Sequence, residues 1–261
     1  MKTALLISTY NWPQALELVF KSLENQSMRP SEVLIADDGS NEETKHCIEN
    51  FAGSFTVPVK HIWHGDDGFR KATILNKAIA VSTSDYIIQI DGDCIMHKDF
   101  IKDHISSAQK KTYLYGSRVT IKKDFVDSLF SEKKINFNFF SKGIKKRTRT
   151  LRIPFLSGLY KPQKNFSTKF RGCNVSYWKL DVVAVNGYNE DFTGWGREDS
   201  ELILRMINFG IKGRRLRYKG LVYHIWHPIK SKDNLDRNNE LEQRTIRERI
   251  SWCVNGIDKY L

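Results

Sequence analysis

Apolar residues along the first 120 positions fall into short continuous runs separated by longer amphipathic stretches. TALLIS from Thr3, EVLIAD from Glu32, VPVKHI from Val57, DYIIQI from Asp85 and YLYGSRV from Tyr113 have strand length and are bounded by polar or turn residues. Between them, Pro13 to about Asn25, Asn41 to about Phe51, Arg70 to Val81 and a stretch from about Lys98 show helical spacing. Strands that alternate with helices of this length predict right-handed βαβ crossovers, hence an α/β fold on a mostly parallel sheet flanked by helices. After Val119 the pattern weakens into a Lys-, Phe- and Ser-rich connection that runs to about Lys169. Order resumes with FRGCNVSYW, a turn at Asn186-Gly187-Tyr188, the segment GWGRED, a helix to about Asn208 and an apolar strand around Leu221 to Ile225. A polar helix from about Asp233 to Tyr260 closes the chain.

Composition narrows the class. The 261 residues, 40% of them hydrophobic, suffice for a sizeable core. No run of about 18 apolar residues occurs, and Met1 leads straight into TALLIS without a secretory leader, so a cytoplasmic, non-spanning protein is expected. The four cysteines form no CxxC pair, which argues against a zinc ribbon and for reduced, mostly buried thiols. The net charge of +12 is uneven: residues 133 to 180 hold 13 basic residues and no acid, leaving the remainder near neutral. The densest part, Lys142 to Arg152, is flanked by Phe137, Phe139, Phe140, Phe155 and Tyr160. Apolar wedges beside basic residues suit peripheral contact with an anionic membrane, at the inner face of the cytoplasmic membrane, better than a nucleic-acid arm. A solvated loop would carry the same charges.

The chemistry concentrates at strand ends. Asp91-Gly92-Asp93 closes the DYIIQI strand, where ligands of open α/β sheets bind, and carboxylates around a glycine can share a hard divalent cation with substrate phosphates. Taken alone, the tripeptide is also ordinary turn chemistry. Asp37 and Asp38 end EVLIAD and suit either a base or ribose contact or the capping of the next helix. Arg70 and Lys71 open the third helix and could meet phosphate or base. In Gly194-Trp195-Gly196-Arg197-Glu198-Asp199, the glycines allow a tight turn that presents an indole on which a sugar can stack. The two acids that follow could deprotonate and orient an acceptor hydroxyl. His224 and His227 lie at the end of an apolar strand; strict alternation puts them on opposite faces, so His224 is the expected metal ligand and His227 its substitute.

In this order, STYNWPQALELVFKSLENQ, EVLIADDGSNEET, GFRKATILNKAIA, the strand with DGD, and VNGYNEDFTGWGREDSEL with YHIWHP resemble the family 2 inverting glycosyltransferases of the GT-A fold. The second half is similar to the galactosyltransferase-type region shared by bacterial chondroitin-polymerase modules and β-1,4-galactosyltransferases. The resemblance implies a GT-A domain over residues 1–228, with a nucleotide-sugar half at 1–120, a basic connection at 121–168 and an acceptor half at 169–228. A helical extension is expected over 229–261. It further implies that Thr9, Tyr10 and Asp38 hold uridine, that Arg70 lies near the donor, and that Asp91 and Asp93 form the DxD pair. Asp93 and His224 would ligate Mn²⁺ or Mg²⁺, Asp199 would be the general base, and Glu198 and Trp195 would bind sugar. Arg197 replaces a small residue found in some relatives, which leaves its acceptor contact open.

The expected reaction is transfer of a hexose or N-acetylhexosamine, with a leaning to galactose or N-acetylgalactosamine, from a UDP-sugar to a bacterial surface glycan or lipopolysaccharide precursor, glycan or lipid-linked. No nucleic-acid partner is expected. A nucleotidyltransferase would share the metal-binding acids, but no Gly-rich triphosphate loop follows TALLIS. A non-catalytic basic module for membranes or RNA would leave the paired acids without a role.

Overall fold

The computed structural model describes residues 1–228 and 231–261. Four strands, β1 (Thr3–Thr9), β2 (Glu32–Asp37), β3 (Val59–Trp63) and β4 (Tyr86–Asp91), alternate with α1 (Pro13–Glu24), α2 (Glu42–Ser54) and α3 (Lys71–Ala80). All four run parallel in the order β4-β1-β2-β3. The chain moves outward from β1 to β3 and then crosses back to the other side of β1, so the order reverses between β1 and β4. A crevice therefore opens at the carboxyl ends of those two strands, where Ser8 lies opposite Asp91.

The runs are continuously apolar because both faces of the sheet are covered. Leu5 and Ile7 of β1 pack with Leu16, Val19 and Leu23 of α1, while Ala4 and Leu6 face Ile74, Leu75 and Ala78 of α3. Pro13 opens α1, where its missing N–H costs nothing, and Asn41 caps α2 by accepting from the Thr44 amide at 3.2 Å.

Beyond β4 the chain forms β5 (Cys94–Met96), the short α4 (Phe100–Ile105), β6 (Thr112–Gly116) and β7 (Arg118–Ile121). YLYGSRV is thus two strands rather than one. At Gly116 the backbone passes so close to the Asn174 side chain that a Cβ would overlap it. Asn174 Nδ2 also donates to the Ser117 carbonyl at 3.3 Å and the Gly220 carbonyl at 2.8 Å, fixing the bend. Then follow α5 (Val126–Ser131), β8 (Ile144–Lys145), β9 (Asn174–Trp178), α6 (Lys179–Val183), α7 (Glu198–Asn208), β10 (Lys212–Leu216), β11 (Val222–His224) and α8 (Leu235–Glu248). The main sheet is completed as β10-β6-β9-β4-β1-β2-β3, with β9 antiparallel to both neighbours, and β5-β11-β7-β8 make a smaller sheet.

The closing helix ends at Glu248 instead of reaching Tyr260. Arg249 adopts a left-handed φ of 51°, and the chain returns to the body, where Ile257 is fully buried in the α3-side core. Residues 229 and 230, at the start of the expected extension, lie outside the described residues. No helix among the described residues is long and apolar enough to cross a membrane.

Candidate active site

The two acids that end β2 have different fates. Asp37 is fully buried and spent on the turn, accepting from the Ser40 amide at 2.9 Å and lying 2.9 Å from His61 Nε2. Asp38 lines a cavity of about 300 Å³ with Tyr10, Phe69, Gly194 and Trp195. Its carboxylate is aimed by His64 Nε2 at 2.8 Å and by the Arg70 amide at 3.0 Å. Burial pushes the Asp38 carboxyl up, against the lowering pull of His64. Tyr10 donates to Asp66 at 2.8 Å, and Thr9 closes β1 beside Gly92, whose amide donates to the Ser8 carbonyl at 2.7 Å. The Arg70 guanidinium pairs with Asp67 at 3.0 Å, and its Nε is buried without a hydrogen-bond partner among the described residues.

The DGD acids also separate. Asp91 accepts from Ser8 Oγ at 2.9 Å and from Lys71 Nζ at 2.8 Å, so it is held inside the protein. Asp93 turns to the other side of Gly92 and meets both histidines. Its Oδ2 lies 3.5 Å from His224 Nε2 and 3.3 Å from His227 Nε2, and the ligand atoms of the three residues all fall within 4.8 Å of one another.

The choice between His224 and His227 therefore dissolves. Strict alternation fails because β11 ends at His224; Ile225 bonds the Asp93 carbonyl at 2.9 Å, and the irregular chain beyond swings His227 to the same side. His227 Nδ1 is 2.7 Å from the Pro228 carbonyl, a contact that leaves Nε2 as the available lone pair. Burial lowers the pKa of His224, keeping its imidazole neutral and fit to ligate at neutral pH. One carboxylate with two imidazoles is a donor set that can hold a divalent transition ion, whereas Mg²⁺ favours oxygen ligands.

The third group is built at the start of α7. Gly194 and Gly196 have φ of 71° and 106°, and Arg197 itself sits at 77°, so the chain coils tightly before the helix begins. Glu198 and Asp199 fall in its first turn, where exposed amides favour negative charge. Asp199 Oδ2 lies 3.9 Å from Lys71 Nζ, and its Oδ1 is 3.4 Å from the Tyr188 hydroxyl, which also donates to Gln89 at 2.9 Å. Gly172 runs against the same carboxylate so closely that any side chain there would overlap it.

Burial raises the pKa of Asp199 despite the lowering field of Lys71. Burial, then the Asp199 charge, pushes Glu198 up to about 7. Glu198 Oε2 is buried with no hydrogen-bond partner among the described residues, as suits a group that faces a ligand. Trp195 is part of the cavity wall, in keeping with a stacking surface. Asn239 Oδ1 accepts from Arg197 Nε at 2.7 Å and Glu242 pairs with the same guanidinium at 3.4 Å, so α8 engages it.

Lys71, read from the sequence as a candidate contact to phosphate or base, stands as a largely buried cation between Asp91 and Asp199, with its side chain 13% exposed. Burial would lower its pKa, but the carboxylates of Asp199 and Asp91 outweigh burial and hold it well above the ordinary lysine value. It is the electrostatic joint between the DGD turn and the ED pair.

The Glycosyl transferase family 2 model matches residues 4–168, and the model described as the N-terminal domain of galactosyltransferase matches residues 156–228. The chain is 26% identical over 224 residues to validoxylamine A glucosyltransferase of Streptomyces hygroscopicus subsp. limoneus, which takes in 80% of this chain and 48% of that protein. It thus spans about half the length of that relative. It is 22% identical over 271 residues to the Escherichia coli UDP-Glc:alpha-D-GlcNAc-diphosphoundecaprenol beta-1,3-glucosyltransferase WfaP, covering 98% of this chain and 94% of that one. Among solved structures, S. aureus TarS superposes with a TM-score of 0.66 at 15% identity, covering 94% of this chain and 40% of TarS. At that identity the likeness concerns the fold, and it agrees with the GT-A architecture expected from the motifs.

Proposed function

Because the chain belongs to glycosyl transferase family 2, we propose that it is a metal-dependent inverting glycosyltransferase. It moves a hexose or N-acetylhexosamine from a UDP-sugar to a hydroxyl of a glycan or lipid-linked acceptor. The observation that carries this reading is the junction at Lys71, which ties the turn bearing Asp93, the partner of His224 and His227, to the half-buried carboxylate of Asp199.

Asp38, with Tyr10 and Thr9, holds the uridine end, and Trp195 with Glu198 binds sugar. Asp93, His224 and His227 would hold Mn²⁺, which when bound would supply charge stabilisation for a departing diphosphate. Asp199 takes the proton of the acceptor hydroxyl as that oxygen attacks the anomeric carbon from the side opposite the leaving group, so configuration inverts and no covalent intermediate forms. A carboxylate with a raised pKa is a stronger base than a solvated one, and the Tyr188 hydroxyl keeps it oriented.

The electrostatics set the pH response. Asp199 must be ionised to act, so transfer falls as pH drops through its pKa. Lys71 lowers that pKa, and Lys71→Met should move the acid limb of the kcat/KM profile to higher pH by about 1–3 units, the usual effect of losing one close opposite charge. An acid limb that stays in place in this variant would show that Lys71 does not govern the base.

The sugar is best found by screening UDP-sugars for acceptor-stimulated UDP release. UDP-galactose and UDP-N-acetylgalactosamine come first on the GWGRED resemblance, and UDP-glucose is included because the named relatives are glucosyltransferases. No UDP release with any of them would count against the transferase reading. Phe140, two residues from the exposed Lys142, is strongly exposed, as are Phe155 and Leu159 farther along the same basic stretch, which supports a peripheral contact with the anionic inner leaflet.

A further inference from the structure

The acid-free stretch does not behave as one surface. Arg152 pairs with Asp99 and Asp103 at 3.3 and 2.7 Å, and Arg147 donates to the carbonyls of Phe139 and Ser141, so both are structural. Other cations converge instead on the neighbouring strand ends. Arg149 Nη1 donates to the Arg118 carbonyl at 3.0 Å. Arg217 Nη2 donates to the Thr148 carbonyl at 3.1 Å and its guanidinium lies 4.6 Å from the Tyr218 ring. Arg215 donates to Ser117 Oγ at 3.3 Å beside Tyr160, and Arg171 is anchored on the Thr168 and Phe170 carbonyls.

None of Arg118, Lys146, Arg149, Arg171, Arg215 and Arg217 has a carboxylate within ion-pair distance among the described residues. Burial, then repulsion from Arg215, Arg217, Arg118 and Arg171, lowers the pKa of Arg149, and Lys146 is lowered likewise. Arg118, Arg149, Arg215 and Arg217 are half-buried, and Lys146 and Arg171 are exposed beside them. Half-buried cations with no carboxylate partner, held by neutral carbonyls and rings, are costly unless an anion joins them.

The position of the cluster says which anion. Arg118 opens β7 opposite Val222 of the strand that ends in His224, and its field reaches both His224 and Asp91. Arg171 precedes Gly172, the residue packed on the Asp199 carboxylate. The cluster thus begins at the base and extends outward, on the β7 and β10 side rather than the Asp38 side.

We propose that these arginines form a diphosphate subsite for the acceptor, which is a sugar carrying a diphosphate on its anomeric oxygen. This rests on the transferase reading for the identity of the acceptor, not for the binding of the anion. The acceptor sugar would then lie between the hydroxyl deprotonated by Asp199 and a diphosphate over Arg149, Arg215 and Arg217. Fixed guanidinium forks suit the paired oxygens of phosphate, whereas the exposed Phe140, Lys142 and Lys145 have the wedge-and-lysine character of a membrane contact.

The test titrates inorganic pyrophosphate into the full chain saturated with UDP and Mn²⁺, so that the donor site is filled, with calorimetric detection. Pyrophosphate should still bind, with steep salt dependence, and Arg149→Gln/Arg217→Gln should weaken it by roughly 10²-fold, about tenfold per charged hydrogen bond lost, with UDP affinity unchanged. Arg149→Lys/Arg217→Lys keeps the charge and should lose less, which guards against a folding defect in the first variant.

Failure of pyrophosphate to bind the UDP-saturated protein, or equal binding by parent and glutamine variant, would overturn the proposal. Phosphatidylglycerol vesicles distinguish a lipid headgroup as the source. The glutamine variant should bind them as the parent does, while Phe140→Ser/Lys142→Gln/Lys145→Gln should release them; the reverse pattern, with pyrophosphate binding intact, makes the cluster a headgroup site. If the subsite binds pyrophosphate as expected while no UDP-sugar supports transfer, the transferase reading fails and the anion site stands.

Discussion

Asp199→Asn should lower transfer by about 10²- to 10⁴-fold, the range typical of general-base loss, while UDP-sugar binding stays near that of the parent. The substitution is nearly isosteric, so the carboxamide can keep the Tyr188 contact and the close fit against Gly172. What it removes is the capacity to take a proton. It also removes one of the two carboxylates facing Lys71, but Asp91 still holds that cation at 2.8 Å, so the fold of the turn should survive. Steady-state kcat with both substrates saturating, alongside UDP-sugar affinity by calorimetry, separates these effects, and transfer by Asp199→Asn within a few-fold of the parent would remove it as the base.

Glu198→Gln supplies the contrast. Its carboxyl is pushed up to about 7, so the glutamine resembles the protonated form already populated near neutral pH, and the change should appear chiefly in the acceptor KM.

Local chemistry made much of the scaffold readable from residue order. The four parallel strands and their helices were legible because β1, β2 and β4 are largely buried apolar runs, the half-buried β3 keeps strand length, and each helix between them has an apolar face. Of the small sheet, β11 was read within the apolar stretch around Leu221 to Ile225, but β5 and β8 were not, since at three and two residues no period can be read from them. The YLYGSRV break was hidden for a different reason. What bends the chain at Gly116 is the side chain of Asn174, more than fifty residues away, and sequence periodicity carries no information about such an approach.

The site shows the same division. The motif positions identify the acids, but not which are spent on structure: Asp37 and Asp38 look alike in sequence, and only the positions of His61 and His64 show that one closes a turn while the other faces the cavity. Lys71 stands beside Arg70 at a helix opening, a weak signal that acquires meaning once Asp91 and Asp199 are known to flank it. Tyr188 was read as part of a turn, and its hydroxyl reaches Asp199 because Asn76 of α3 bonds both its amide and its carbonyl, pinning that turn to the core.

Chelation should abolish transfer, and restoring Mn²⁺ should recover it, if Asp93, His224 and His227 act as one ligand set. Loss of a residue that merely orients a ligand typically weakens metal binding by about 10- to 100-fold, so loss of a direct ligand should cost at least as much. Asp93→Ala should be the most damaging of the three, because it removes the anion and leaves two imidazoles without the carboxylate that lies within 3.5 Å of both. His224→Ala and His227→Ala should each weaken Mn²⁺ binding, since the geometry draws no distinction between a ligand and its substitute. Direct titration of Mn²⁺ into each variant, independent of turnover, checks this. Equal Mn²⁺ affinity in His227→Ala and parent would return the site to Asp93 and His224 alone, and transfer that persists undiminished in chelator would exclude a required metal. Below the pKa of His224 a proton competes with the cation for its lone pair, so the Mn²⁺ concentration needed for half-maximal transfer should rise as pH falls. Burial lowers the pKa of His224 and confines its share of that competition to more acid conditions than a solvated histidine would show.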